Sequence, residues 1–224
     1  MIDHISCEKK LRSGLTEMKI QLSDEKIALL MDYLNEFYKW NKAYNLSAIR
    51  QPLDMVERHL LDSLVLVPLL QQAIEASRQK SEPIEHIIDV GTGGGLPGIP
   101  LSIVFPEIRF VLLDSNGKKT RFLFQVKTAL TLTNVTVENT RVETYQPQQL
   151  FQIVVSRAFA SLNDMVTGTH HLLEKQGRFW AMKGVFPEKE LRDCEKHAIV
   201  DAVTELTIPN LEGERHLLVL KPVH

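Results

Sequence analysis

The stretch Ile87-Ile88-Asp89-Val90-Gly91-Thr92-Gly93-Gly94-Gly95-Leu96-Pro97-Gly98 decides the fold. Residues 87–90 are a short, mostly β-branched run that ends at glycine, which reads as a buried strand. The apolar residues of 97–105 then read as a helix. Glycines between the two let the backbone come close to a ligand and take up positive φ, and the amides at the helix N-terminus favour negative or polar groups. Asp114 ends the next strand, a place where a carboxylate accepts both hydroxyls of a ribose. Together these residues predict a nucleoside-containing cofactor at the carboxyl edge of a sheet. The alternative is a glycine turn that only lets strand and helix pack tightly.

Working outward from this turn, strand and helix alternate. Residues 86–90, 109–114, 134–137, 151–155 and 178–182 read as strands, with 97–105, 118–130 and 162–173 as helices between them, the mark of a parallel sheet wound with crossover helices. The runs 199–208 and 215–220 flank Pro209-Asn210-Leu211-Glu212-Gly213-Glu214 and are expected to pair as an antiparallel hairpin at one sheet edge. Upstream the period is helical. Ser23-Asp24-Glu25 is a cap with acids in the first turn, and Ile27, Leu30, Met31, Leu34, Phe37 and Tyr38 follow at helical spacing. A second helical region runs from Pro52 through Met55, Val56, Leu60, Leu61 and Leu64 towards Ile74. The polar segment Ala76-Ser77-Arg78-Gln79-Lys80-Ser81-Glu82-Pro83 marks a boundary. The expected organisation is α/β: an N-terminal helical extension over residues 1–81, then a mostly parallel, doubly wound sheet with an antiparallel edge hairpin over 82–224.

A length of 224 residues suits one domain with a modest extension. With 44% hydrophobic and 24% charged residues, the chain has material for a core and is not dominated by disorder. The longest apolar stretch, residues 64–70, is broken by Pro68 and falls far short of the roughly 20 residues a membrane span needs. Residues 1–8 lack a basic region followed by an apolar one. The expectation is a cytoplasmic protein with no membrane partner. Cys7 and Cys194 lie far apart and fit unpaired thiols. Each has a histidine three residues away, His4 and His197, but such a pair supplies half of a structural zinc's ligands, so no metal is expected. A formal net charge of -2 excludes coating of nucleic acid through bulk charge and leaves local recognition.

Gly93, Gly95 and Gly98 satisfy the dinucleotide pattern G-x-G-x-x-G in a literal count. Two features favour S-adenosylmethionine instead. Asp89 sits inside the end of the first strand, where it can serve the ammonium of a methionine moiety directly or through water, whereas a pyrophosphate would be repelled. The register Asp89-x-Gly91-x-Gly93-x-Gly95 is also similar to that of class I methyltransferases.

The chain closely resembles the bacterial 16S ribosomal RNA guanine-N7 methyltransferases, also called the glucose-inhibited division protein B family. The resemblance is carried by residues 89–100, Leu112-Leu113-Asp114-Ser115, Ser156-Arg157-Ala158-Phe159-Ala160-Ser161-Leu162, Met182-Lys183-Gly184 and Gly213-Glu214-Arg215-His216. Tyr44-Asn45-Leu46-Ser47-Ala48-Ile49 and Arg58-His59-Leu60-Leu61-Asp62-Ser63 extend it over nearly the whole chain. It implies a class I Rossmann-like methyltransferase acting on 16S rRNA, within the small subunit or an assembly intermediate. It also implies a cofactor site of Gly91, Leu96, Val142, Glu143 and Arg157, with Val142-Glu143 beside the adenine; Asp89, Gly93 and Asp114 join it on the chemistry above. Gly94 departs from the proline of many relatives and is expected to loosen the loop slightly without changing its role.

Methyl transfer from a sulfonium is an in-line displacement, so the protein must hold both partners in line. Attack through cytosine C5 needs a thiol, and neither cysteine lies near the sheet's expected carboxyl edge. Exocyclic amines usually call for an Asp/Asn-Pro-Pro-aromatic loop, whereas the fourth strand here runs into Val155-Ser156-Arg157-Ala158-Phe159. Guanine N7 carries a lone pair and no proton, so it needs no general base. The best candidates for catalytic roles are Arg157 and Lys183. Arg157 can reach the cofactor, stack on a base, hold a phosphate, or simply pair with a structural carboxylate. Lys183, at the end of the fifth strand, can meet an RNA phosphate or the guanine, or be solvated. Lys118, Lys119, Arg121 and Lys127 share one helix and can meet phosphates, although such charge is usually a solvated face. Lys9, Lys10, Arg12, Lys39, Lys42, Arg50 and Arg58 are spread over the N-terminal part with the same two readings. Phe159 and Trp40 or Tyr44 can stack a base or pack in the core. His59 can orient the extension over the site or be a core histidine. His170 and His171 are adjacent and face different ways, so they are poor joint metal ligands.

The reading is a monomeric, S-adenosylmethionine-dependent methyltransferase of 16S rRNA. Its rivals are a nicotinamide-dependent oxidoreductase built on the same glycine turn and a non-catalytic RNA- or ribosome-binding module.

Overall fold

The computed structural model describes residues 2–157 and 159–223. Met1, Ala158 and His224 lie outside the described residues, Ala158 falling within the Ser156-to-Leu162 segment quoted above. Two capped helices begin the chain. Asp3 accepts from the Ser6 amide at the start of α1 (His4–Glu17), and Ser23 from the Lys26 amide at the start of α2 (Asp24–Tyr44), with Asp24 and Glu25 in the first turn. Asn45 ends α2 in the left-handed conformation and lets the chain turn away. The helical run after Pro52 is not uniform. It comprises α3 (Pro52–Met55), a π-helical turn over Val56–Leu61, α4 (Asp62–Leu64) and α5 (Val67–Gln79). By length and composition the run Pro52–Gln79 is apolar enough to cross a membrane, yet 56% of its most apolar window is buried inside the protein, as in a core helix.

Seven strands form one sheet: β1 (His86–Val90), β2 (Arg109–Leu113), β3 (Val135–Glu138), β4 (Phe151–Ser156), β5 (Leu173–Lys183), β6 (Ala198–Glu205) and β7 (His216–Pro222). Their order is β3-β2-β1-β4-β5-β7-β6. All neighbours from β3 to β5 are parallel, and β7 runs antiparallel to both β5 and β6. The crossover helices are α6 (Gly98–Val104), α7 (Gly117–Ala129) and α8 (Leu162–Thr169), with α9 (Glu188–Cys194) after β5. Most boundaries shift by one to three residues, the first hairpin strand ending at Glu205 instead of 208, and two differ by more. The helix expected over 162–173 stops at Thr169, and β5 begins at Leu173, ahead of the expected 178. Its first residues, Glu174-Lys175-Gln176, are polar and lie where the β4–β5 register shifts, so they carry no apolar strand pattern.

Side chains alternate across the sheet and divide the core in two. Ile87, Phe110, Leu112, Val135 and Val155 belong to the cluster on the side that carries α6, α7 and the N-terminal helices. Ile88, Val90, Leu113, Val154 and Phe179 face α8. The first cluster runs without interruption from Leu11 and Leu30 in the N-terminal layer to Phe122 and Leu123 in α7. Cys7 and Cys194 are both free and buried.

The N-terminal layer props up the glycine turn. Tyr33 is buried and donates its hydroxyl hydrogen to the Gly94 carbonyl at 2.6 Å. Phe37 stands against Gly94 so closely that a Cβ there would lie 2.3 Å from Cε2 of its ring. The expectation that glycine loosens the loop at this point is therefore met by a ring that occupies the side chain's space. Gly94→Ala is expected to destabilise the protein by about 1–3 kcal/mol through overpacking. Adding Phe37→Leu should recover part of that loss in urea unfolding. Strictly additive effects of the two changes would show that the ring and residue 94 do not compete for space.

Candidate functional site

Gly91, Gly93 and Gly95 all take positive φ, from 61° to 89°, so the chain after β1 coils tightly before α6 starts. Asp89 lies one residue before the carboxyl end of β1 and is fully buried. Its Oδ2 accepts from the Thr92 hydroxyl at 2.7 Å and from the Gly98 amide at 2.9 Å, clamping both ends of the turn. Its Oδ1 is buried with no hydrogen-bond partner among the described residues. Burial pushes the Asp89 carboxyl up to about 6, opposed by those two hydrogen bonds and by the nearby Arg157 guanidinium. A buried carboxylate oxygen is unfavourable without a donor, so this atom calls for one from outside the chain.

Asp114 follows β2 at the same end of the sheet. Its Oδ2 accepts from the Gly93 amide at 2.9 Å and its Oδ1 from the Asn116 amide at 2.8 Å, while Lys119 Nζ lies 3.6 Å from Oδ2. Each oxygen keeps a second lone pair. Asp114 lines a cavity of about 320 Å³ together with Gly91, Ser115, Val142, Glu143 and Phe159. Val142 and Glu143 lie on a single 3₁₀ turn, Val142–Thr144, and Glu143 is exposed. Leu96 is buried in the core beneath the turn and does not line this cavity. Of the expected cofactor residues, Gly91, Asp114, Val142 and Glu143 line this cavity, Asp89 and Gly93 do not, and Arg157 lines another. One turn glycine, two carboxylates and an apolar wall fit a nucleoside, and the partnerless Asp89 oxygen two residues before Gly91 fits an ammonium group. A larger cavity of about 830 Å³ lies beside α5 and reaches Gln152 and Glu174 at the amino ends of β4 and β5. That is the end of the sheet away from the crevice where open α/β sheets bind ligands.

A second cavity of about 330 Å³ opens at the carboxyl ends of β4 and β5. Arg157 lines it and donates from Nη1 to Asp62 Oδ2 at 2.5 Å. Arg215 donates from Nε to Asp62 Oδ1 at 3.3 Å. Lys183 lines the same cavity and pairs with Glu190 at 2.8 Å, with the Phe159 carbonyl 3.3 Å away. Asp62 and Arg215 were quoted above only as parts of resembling segments. The one local signal is that Asp62 is a charge set in the apolar run Leu60-Leu61-Asp62-Ser63-Leu64. Its residue is 7% exposed and follows the π-helical turn, a feature that marks many functional sites.

The remaining candidates divide as follows. His59 is a core residue: it lies 5.0 Å from the Phe37 ring, its Nε2 and the Ser47 hydroxyl are 3.0 Å apart, and burial lowers its pKa to about 4. Trp40 stacks on Tyr44 at 5.0 Å, and Tyr44 is exposed. Of the α7 cations, Lys119 faces Asp114, whereas Lys118 and Arg121 are exposed. Lys10 pairs with Glu57 and Arg12 with Glu8 and Asp24, so those two are structural ion pairs. His171 Nε2 lies 3.2 Å from the Tyr145 carbonyl.

Comparison with known proteins adds the lineage. A family model described as rRNA small subunit methyltransferase G, GidB, matches residues 26–218. The chain is 53% identical over 95% of its length to the Ribosomal RNA small subunit methyltransferase G of Saccharophagus degradans, covering 90% of that protein. The namesake from Cellvibrio japonicus is 53% identical over 96% of this chain and 94% of its own, and that from Escherichia fergusonii 49% over 95% and 97%. Among solved structures, the glycopeptide N-methyltransferase MtfA complexed with S-adenosyl-L-methionine superposes with a TM-score of 0.54 at 10% identity, over 67% of this chain and 87% of its own. TrmN from Thermus thermophilus gives 0.53 at 15% identity, over 75% and 53%. These two similarities establish the fold.

Proposed function

We propose that this chain, which belongs to the GidB family of rRNA small subunit methyltransferase G proteins and is an S-adenosylmethionine-dependent rRNA methyltransferase, methylates N7 of one guanine in 16S rRNA. The observation that carries the cofactor side is the Asp89 clamp: a glycine turn held shut by one carboxylate oxygen while the other has no donor among the described residues. The family carries the substrate.

S-adenosylmethionine, when bound, supplies a methyl group on a positively charged sulfur, open to in-line attack. Asp89 Oδ1 meets its ammonium, directly or through water. Gly91 and Gly93 bring the backbone close, with Leu96 supporting the turn from below. Asp114 takes the ribose hydroxyls, and Val142 and Glu143 border the adenine. Arg157 stands at the cofactor's edge, near enough to Asp89 to favour its ionised form. The guanine supplies its own lone pair at N7, so orientation and exclusion of water are what the protein contributes. With no proton to remove, Arg157 and Lys183 act through charge and position, not as acid or base.

The partner is 16S rRNA, met within a small subunit or an assembly intermediate by a single copy of the chain. Ribosome assembly places the reaction in the bacterial cytoplasm. The test is to incubate purified protein with S-adenosylmethionine and small subunits from cells lacking the enzyme, then to identify modified nucleosides by mass spectrometry. New 7-methylguanosine confined to one 16S segment is expected. No new methylated nucleoside, from subunits that a known methyltransferase still modifies, would overturn the substrate assignment.

A pH dependence follows from Asp89. Burial raises its folded-state pKa from 3.8 to about 6. The folded protein therefore holds this proton more tightly than the unfolded chain, and Asp89 costs stability progressively as pH rises from about 4 to 6. A bound ammonium offsets that cost only when Asp89 is ionised. The rise in Tm caused by S-adenosylmethionine is expected to grow between pH 5 and 7. A rise that stays constant over this range would take Asp89 out of ammonium binding.

A further inference from the structure

Asp62 joins parts of the chain that are far apart in sequence. It follows the π-helical turn of the N-terminal layer, Arg157 follows β4, and Arg215 precedes β7. Both guanidiniums rest on the two oxygens of one carboxylate that is 7% exposed, while the arginine side chains stay about a quarter exposed. A guanidinium carries five N–H donors. Arg157 gives one to Asp62; Arg215 gives one to Asp62 and one to the Glu214 carbonyl, at 2.7 Å. Among the described residues both thus retain donors, fixed in direction, beside a cavity of about 330 Å³.

The charge balance of this cavity is unlike that of the whole chain. In its wall Arg157, Arg215 and Lys183 set three cations against the carboxylate of Asp62, while beside it Glu190 pairs with Lys183 and Glu214 accepts from the Phe186 amide, in a protein whose formal charge is -2. His216 completes the wall. Next to it Val185 is 76% exposed, and Phe186 is 39% exposed and packs edge-on against His216 at 5.6 Å. Two preset guanidinium forks beside an exposed aromatic ring form a surface suited to one phosphate and its neighbouring base.

Resting on the rRNA reading above, we propose that Arg157 and Arg215, aligned by Asp62, bind a phosphodiester of the RNA strand next to the target guanine. Asp62 is a positioning residue: it holds the two forks in register before RNA arrives. Arg215 is the informative one to change, because Arg157 also stands near Asp89 and the cofactor side, whereas Arg215 has no part there.

The test compares wild type with Arg215→Gln for 16S rRNA affinity across a salt series, for the KM of the RNA, and for S-adenosylmethionine Kd by calorimetry. The expected result is a roughly ten-fold weaker RNA affinity and higher KM, with the log-log salt slope lowered by about one and the cofactor Kd within two-fold of wild type. Arg215→Lys, which keeps the charge but loses the fork, should restore the slope and part of the affinity; it also serves if the glutamine variant does not fold. Unchanged RNA affinity, a weaker affinity with unchanged salt slope, or a loss of cofactor affinity as large as the loss for RNA would each overturn the proposal. Inorganic phosphate at millimolar concentration distinguishes a free-phosphate site: if it saturates the wild type and competes fully with RNA, the backbone assignment falls. Failure of the wild type to methylate rRNA would instead strike the function proposed above, and the RNA affinity and salt slope would still test the site.

Discussion

Gly98→Ala should reduce methyl transfer by more than 100-fold and destabilise the protein by about 2–6 kcal/mol. A Cβ at Gly98 would lie 2.2 Å from Leu112 Cδ2 and 2.9 Å from Asp89 Oδ2. Neither neighbour has room to give, because Leu112 and Asp89 are both fully buried in adjacent strands. The start of α6 must move out, which adds overpacking of about 1–3 kcal/mol to the loss of the Gly98–Asp89 hydrogen bond, about 1–3 kcal/mol when a buried acceptor is stranded. Urea unfolding and calorimetric titration with S-adenosylmethionine measure the two effects. A Gly98→Ala protein with wild-type stability and cofactor affinity would show that strand and helix tolerate separation at this point.

Asp89→Asn separates fold from ligand in the opposite way. The amide oxygen still accepts from Thr92 and Gly98, so the turn stays clamped, while the buried charge is gone. Stability at pH 7 is expected to hold or rise. Affinity for S-adenosylmethionine is expected to fall by at least 100-fold, about 2.7 kcal/mol, because the ammonium loses its counter-charge. Retained affinity would remove Asp89 from the binding site, and a loss accompanied by a lower Tm would assign the effect to the turn.

These effects centre on the part of the molecule that local sequence makes legible. An apolar run into glycines and then a helix is a contiguous pattern, and so is the capped, periodic α2. Asp89 and Asp114 could be placed because each ends a strand whose direction the alternation of elements dictates. The residues that hold the site from a distance could not be placed. Asp62 meets Arg157 across 95 positions and Arg215 across 153. No periodicity encodes such a meeting, which depends on how an N-terminal layer settles over the sheet. The π-helical turn at Val56–Leu61 mixes apolar and charged residues as an amphipathic α-helix does, so its residue types do not set it apart. The early start of β5 is hidden for a different reason: polar residues at a register shift give no alternation to read. Along β6 the apolar residues mislead on burial, since Ile199, Val200 and Val203 are exposed on an edge strand.

The seamless core between the N-terminal helices and α7 bears on how the protein is made. Phe37 and Leu30 leave the ribosome well before Phe122 and Leu123, the side chains that complete their cluster. At roughly 5–20 residues per second of synthesis, the first helices wait on the order of ten seconds with their apolar faces uncovered. The glycine turn, which leans on those same helices through Tyr33 and Phe37, is not supported until that wait ends. The nascent chain is therefore most exposed to aggregation and to chaperone capture while its N-terminal third is complete and its sheet is not. A truncated product of that length would keep those apolar faces uncovered and would be a client for degradation.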